Sequence, residues 1–392
     1  MGRLIVKSDA ILLPSGLFDG YIVSENGGIV GVTKNASGGG EYLDATGYYV
    51  SPGFIDIHTH GGGGHDFMDG NAGAVREACL AHMRHGTTTI LPSSVACGTD
   101  ELLKFIDCFN EAKQTLTDGP HLWGAHLEGP YFNPSMAGAQ DPAYIKNPDP
   151  DEYKAILERA DGMVARWSVA PELPGALEMG DFLAGEGVLV SIGHSAAEYD
   201  DVRAAADHHY TLFTHLYSGM STIVRKGGYR KLGVIESAYL MDDMYVEIIA
   251  DGHHLPAELL KLIVKCIDRW RIILITDSMR AAGTSGGESI IGSLTNGQKV
   301  IVEDGVAKLP DRTAFAGSVA TADVLIRTMR DKAGLKIEDA VKMMTVNPAR
   351  AIGAEDKGVI AAHMDCDLVV FDEDIDVKAV VTVGIIRHAT DI

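Results

Sequence analysis

Phe54-Ile55-Asp56-Ile57-His58-Thr59-His60, followed at once by Gly61 to Gly64, is the stretch on which the reading of this chain turns. Its apolar residues suit a short buried strand. Side chains alternate faces along a strand, so His58 and His60 share one. Two imidazoles side by side at a strand end can grip one divalent metal. An isolated His-x-His is as readily an ordinary half-buried pair, so the reading depends on what lies downstream.

Strand-like and helix-like segments alternate outward from this run. Strand candidates fall at 49–58, 87–92, 122–127, 166–170, 188–193, 210–215, 245–250 and 271–276. Helical patterns fill most gaps, as at 74–85, 100–114, 151–159, 198–208 and 257–268. Such alternation implies parallel βαβ units, and eight of them suggest an α/β fold of (β/α)8 TIM-barrel type. A hairpin is predicted at 292–309, with two more helices near 322–332 and 337–344. Both chain ends read as short alternating runs broken by glycine, such as Leu4-Ile5-Val6 and Leu368-Val369-Val370-Phe371. Chain ends often meet, so residues 1–52 and 355–392 are expected to form one small β-sandwich beside a catalytic barrel at 53–354.

The composition narrows the classes of function. Of 392 residues, 46% are hydrophobic and 22% charged, ordinary for a globular protein with a large core. A formal net charge of -21 argues against nucleic acid or an anionic membrane as partner, so an anionic substrate needs a local cluster of cations. The five cysteines, Cys79, Cys97, Cys108, Cys266 and Cys366, show neither disulfide nor metal spacing and are expected to be thiols in a reducing cytoplasm. The first residues are too soon interrupted by Lys7, Ser8 and Asp9 for a signal sequence, and no apolar run approaches membrane-spanning length.

Placed on the expected scaffold, the polar residues gather at strand ends. His58 and His60 close the first strand, His126 and Glu128 the third, His194 the fifth and His215 the sixth, while His254 follows the seventh and Asp277 ends the eighth. Active sites of such barrels lie at the C-terminal ends of the strands, so these side chains converge on one mouth. Each histidine alone is more often a core residue than a ligand. Six histidines and two carboxylates in register are a metal site of the imidazole–carboxylate type, suited to zinc, with iron, manganese or cobalt as alternatives.

The motifs Pro52-Gly53-Phe54-Ile55-Asp56-Ile57-His58-Thr59-His60, His126-Leu127-Glu128-Gly129-Pro130, Gly193-His194-Ser195, Thr214-His215-Leu216-Tyr217, Asp251-Gly252-His253-His254 and Thr276-Asp277 resemble those of the amidohydrolase superfamily. The likeness spans nearly the whole chain, including Phe315-Ala316-Gly317-Ser318 and Asn347-Pro348-Ala349-Arg350. It implies that Glu128, His194 and His215 hold the principal metal and His58 and His60 a second, with Glu128 between them. It implies hydrolysis of the acetamide of an N-acetyl amino-sugar phosphate: N-acetylglucosamine 6-phosphate first, the galactosamine epimer or another N-acyl amino sugar second. A metal lowers the pKa of bound water, making hydroxide available as nucleophile. Asp277 then acts as general base and acid, and His254 donates to the developing oxyanion. The resemblance also points to Ala139, Gln140, Ser218, Gly219, Arg230, His254, Phe315, Ala316 and Gly317 as substrate contacts, and to a homodimer. The chain departs from the family pattern at Ser218 and in the turn Arg230-Lys231-Leu232-Gly233, where Arg225 and Lys226 add cations. A scaffold that has lost its chemistry is the competing reading, but no ligand or base is missing.

Overall fold

The computed structural model describes residues 2–390 and Ile392. Two arcs of parallel strands form its centre. One joins His121–Leu122, Thr87–Pro92 and Phe54–Thr59; the other runs Ala125–Glu128, Val164–Val169, Leu189–Ile192, Tyr210–Phe213, Tyr245–Ile248 and Ile272–Leu274. The arcs meet along two seams. Ser94 N–H donates to His126 O at 3.0 Å on one side, and Asp277 N–H to His58 O at 2.9 Å on the other. The result is a curled parallel sheet of mixed α/β composition. Helices return the chain between strands, from Ala72–Arg84 and Thr99–Thr115 through to Ala257–Cys266 and Ala322–Asp331.

Central strands buried at nearly every position and helices with one apolar stripe between them explain this layering. The helices pack their apolar stripes on the convex face, with Phe105, Phe109, Trp167 and Phe213 among the buried side chains. Part of the concave face is apolar, where Ile55, Ile57, Leu91, Leu212, Ile249, Ile273 and Ile275 meet Ala349 and Ala354. Elsewhere it carries polar side chains: His126, Arg166, Ser168, Ser191, Thr214 and Glu247 are all fully buried. That polar layer supports the site.

Both chain ends enter one eight-stranded sheet. Its order is Ile385–Ala389, Val377–Thr382, Leu368–Phe371, Tyr49–Pro52, Arg3–Leu13, Gly16–Glu25 and Gly28–Thr33, with Glu41–Asp44 added on Arg3–Leu13. The single strand expected at 49–58 is therefore two. Tyr49–Pro52 pairs with Leu368–Phe371, and the chain crosses to the central sheet at Gly53. There the backbone passes so close to Thr88 that a Cβ would lie 2.0 Å from its Oγ1. The strand expected at 122–127 is likewise split, because His121–Leu122 pairs with Thr87–Pro92 whereas Ala125–Glu128 pairs with Val164–Val169. The hairpin expected at 292–309 is a three-stranded antiparallel sheet of Gly287–Ile291, Gln298–Glu303 and Val306–Lys308. No helix among the described residues is long and apolar enough to cross a membrane. All five cysteines are free thiols, four of them buried.

Candidate active site

The side chains at the strand ends converge around Glu128. Its Oε1 lies 2.9 Å from His215 Nε2 and 3.4 Å from both His58 Nε2 and His194 Nε2, while Oε2 lies 3.4 Å from His60 Nε2. Asp277 Oδ1 sits 3.1 Å from His60 Nε2 and 3.7 Å from His58 Nε2. Two groups bring candidate ligand atoms within 4.8 Å of one another: His58, His60 and Asp277; and His58, Glu128 and His215. His194 reaches Glu128 but joins neither tight group.

Local backbone conformation aims these residues. His194, His215 and Asp277 have φ of 47°, 32° and 46°, in the left-handed region that non-glycine residues seldom adopt. Each stands just past its strand, where the turn throws the side chain over the mouth. Such strain concentrates at functional sites.

Hydrogen bonds set which ring nitrogen faces inward. Met136 O, which can only accept, takes the Nδ1–H of His194 at 2.8 Å, leaving Nε2 as a bare acceptor toward Glu128. Glu247 Oε2 lies 3.5 Å from His58 Nδ1, so the same logic leaves His58 Nε2 facing two carboxylates. That Nε2 is fully buried and makes no hydrogen bond. A bare nitrogen opposed to carboxylate oxygens is repulsive unless a positive charge lies between them. Burial works against a charged ring at His58, yet Glu128 and Asp277 outweigh it and push its pKa up to about 9. Burial likewise pushes Glu128 up, but the imidazoles, His58 first, hold it well below the ordinary carboxylate range. The field that favours a proton on His58 favours a divalent cation equally, and the imidazole–carboxylate donor set fits one.

The mouth opens into a cavity of about 250 Å³ lined by His60, Glu128, Gln140, His194, His215, Ser218, His254 and Asp277, among others. Ala139, Gly219, Phe315 and Gly317 also face it. Gln140 is clamped in place, donating to Glu128 Oε2 at 2.6 Å and accepting from Ala96 N–H at 2.7 Å. His254 packs against Phe315 with ring centroids 4.8 Å apart and gives its Nδ1–H to Asp251 at 2.7 Å. Two of the expected substrate contacts lie elsewhere. Ala316 is buried behind the wall among the residues of the antiparallel insertion. Arg230 stands on an exposed hairpin, Val224–Lys226 with Tyr229–Lys231, outside the cavity lining. Its neighbours Lys226 and Lys231 turn to Glu198, and among the described residues no Lys or Arg lines the cavity. A larger cavity of about 490 Å³ opens at the opposite ends of the strands, beside Leu12, Pro52, Trp270 and Arg350, and contains neither metal-ligand group.

Sequence reasoning passed over three supporting residues: Arg166, Glu247 and Asp251. For Arg166 and Glu247 the available signal was a charge inside an apolar strand, Val164–Val169 and Tyr245–Ile248; for Asp251 it was its place in the motif with His254. His126 is a core residue of this layer. It bonds Ser93 Oγ and Ser168 Oγ at 2.9 and 2.7 Å, and burial holds its pKa well below the ordinary histidine value.

Gly219 packs where no side chain fits. With φ of 55°, a Cβ there would lie 2.7 Å from His194 Nδ1 and 3.0 Å from Met136 O, the two partners of one hydrogen bond. Gly219→Ala is expected to weaken divalent-metal binding by about tenfold, as loss of a ligand's supporting bond does. Chelator competition would read that change.

A metal-facing cluster of this kind on a curled parallel sheet defines a hydrolase of one broad class. The Amidohydrolase family profile matches residues 49–387, and the chain belongs to that family. Enzymes of the family are metal-dependent hydrolases, and this one presents groups able to hold a divalent cation. Among similar proteins, the N-acetylglucosamine-6-phosphate deacetylase of Lysinibacillus sphaericus is 30% identical over 99% of this chain and 98% of its own. The N-acetylgalactosamine-6-phosphate deacetylase of Escherichia coli O157:H7 is 30% identical over 78% of each chain. A mutant N-acetyl-D-glucosamine-6-phosphate deacetylase of Mycobacterium smegmatis, solved with N-acetyl-D-glucosamine-6-phosphate, shares 31% identity. It has a TM-score of 0.91 and covers 99% of this chain and 100% of that one.

Proposed function

We propose that this chain hydrolyses the acetamide of N-acetylglucosamine 6-phosphate, releasing acetate and glucosamine 6-phosphate. The observation that carries this reading is the Glu128 carboxylate ringed by four imidazoles, with Asp277 beside His60, at the floor of an open cavity. Glu128, His194 and His215 would hold one divalent cation, with zinc preferred, and His58 and His60 a second. Bound there, the cation supplies Lewis acidity and acidifies water.

The residues of the chain do the rest. Asp277 takes a proton from the attacking water on its carboxylate and returns it to the departing nitrogen, since an amine anion leaves poorly. His254 faces the acetyl oxygen. Asp251 accepts from Nδ1 at 2.7 Å and so orients the ring at the cavity wall. Asp251→Asn is expected to lower kcat on the order of tenfold to a hundredfold with little change in KM, measurable in steady state. Gln140, Ser218, Gly219, Phe315 and Gly317 form the sugar-binding wall.

The same reading takes the curled sheet and its helices as a closed (β/α)8 barrel of amidohydrolase type at 53–354. Residues 1–52 and 355–392 make the small β-sandwich domain. The hydrogen bonds at both seams and the shared terminal sheet support it. The enzyme would work as a cytoplasmic homodimer, consistent with five free thiols.

The galactosamine epimer is the second reading, favoured by the 30% identical E. coli O157:H7 relative. Acetate release from both epimers, with and without the phosphate, separates them. The glucosamine phosphate is expected to be preferred. Equal turnover of the free sugar would remove the phosphate from the substrate assignment.

A further inference from the structure

Directly beneath the histidines lies a buried ion pair that the proposed chemistry does not use. Arg166 and Glu247 are both fully buried, on the central strands Val164–Val169 and Tyr245–Ile248. Such layers are ordinarily filled by branched apolar side chains, and removing two charges from water is costly. The contacts of this pair show what it does instead. Both guanidinium amino groups of Arg166 donate to Glu247, one of them to Oε2 at 2.9 Å. The remaining Arg166 bonds go to Ile57 O at 3.2 Å, Thr214 Oγ1 at 3.0 Å and Ser191 Oγ at 3.1 Å. Ile57 and Thr214 immediately precede His58 and His215. Glu247 Oε2 also accepts from His58 Nδ1 at 3.5 Å and from the backbone N–H of His215 at 3.2 Å.

We propose that Arg166 and Glu247 are positioning residues for the metal site. Glu247 fixes the ring of His58 with Nδ1 protonated and Nε2 directed at Glu128 and Asp277, and anchors the turn carrying His215. Arg166 balances the charge of Glu247 and ties it to the residues before both histidines. His58 belongs to both tight ligand groups, so one hydrogen bond at its outer nitrogen orients a ligand of each. Carboxylate–histidine–metal arrangements of this kind set tautomer and ring orientation. The proposal rests on His58 and His215 being metal ligands.

The test uses the full-length protein loaded with zinc. Nitrogen-15 NMR of the histidine rings, with the His58 signal identified by its loss in His58→Gln, is expected to show the proton on Nδ1. The double variant Arg166→Met/Glu247→Leu removes both charges together, so that neither is left buried alone. It is expected to keep its fold by circular dichroism but to bind zinc about ten- to a hundredfold more weakly. Its kcat should fall while KM stays within about twofold, the split that separates positioning from substrate contact. Wild-type zinc affinity in the double variant, or a His58 ring protonated at Nε2, overturns the proposal. Should the double variant not fold, Glu247→Gln is measured in its place, and unchanged zinc affinity there overturns it equally. A wild-type protein that takes up no zinc would overturn the metal-site reading itself, and the proposal with it.

Discussion

Asp277→Asn is expected to lower kcat by about a thousandfold or more, because it removes a group asked to act as both base and acid, each role being worth about 10²–10⁴. The substitution preserves shape: Asn accepts where Asp277 Oδ1 now lies, 3.1 Å from His60 Nε2. What it cannot do is take a proton. Metal bound through Glu128, His194 and His215 should remain nearly unchanged, since none of those contacts involves Asp277. Elemental analysis beside an acetate-release assay reads both quantities on one preparation. Substantial residual turnover would mean that another group carries the proton.

Glu128→Gln should have the second large effect, of a different kind. The carboxylate is shared by His58, His60, His194 and His215, so one substitution removes the charge common to all four candidate imidazole ligands. Metal affinity is expected to fall by at least about a hundredfold and turnover with it, since loss of a mere supporting group already costs about 10–100-fold. The metal-free protein offers a pH signature of the same field. His58 is raised to about 9 from an ordinary value of 6.5, so its pairing with the carboxylates stabilises the fold fully below 6.5. That stability is lost as pH rises through 9. Denaturant titration of metal-free protein across this window should show the loss in the wild type and a smaller one in Glu128→Gln.

Much of this was legible along the chain because two periodicities and one topological rule did the placing. Alternation put His58 and His60 on one face, and the rule that strand C-termini carry the chemistry put Glu128, His194, His215 and Asp277 at one mouth. The structure brings those six side chains together. What escaped depends on pairings between distant strands. Arg166 and Glu247 are 81 residues apart and each reads singly as an anomaly in an apolar strand. The break at Gly53 depends on Thr88, which no local pattern reveals. The left-handed turns at His194, His215 and Asp277 fall on residue types that tolerate this region better than most, yet histidine and aspartate are common elsewhere too, so type alone does not mark them. Arg230 illustrates the converse, a cation placed by motif near the substrate yet set by its hairpin outside the cavity lining.

The most direct test is acetate release from N-acetylglucosamine 6-phosphate, followed on one preparation before metal removal, after stripping with a chelator, and after adding zinc back. The account predicts steady release that disappears on stripping and returns with zinc. Release that survives complete stripping, or none from the zinc-loaded protein, would contradict it.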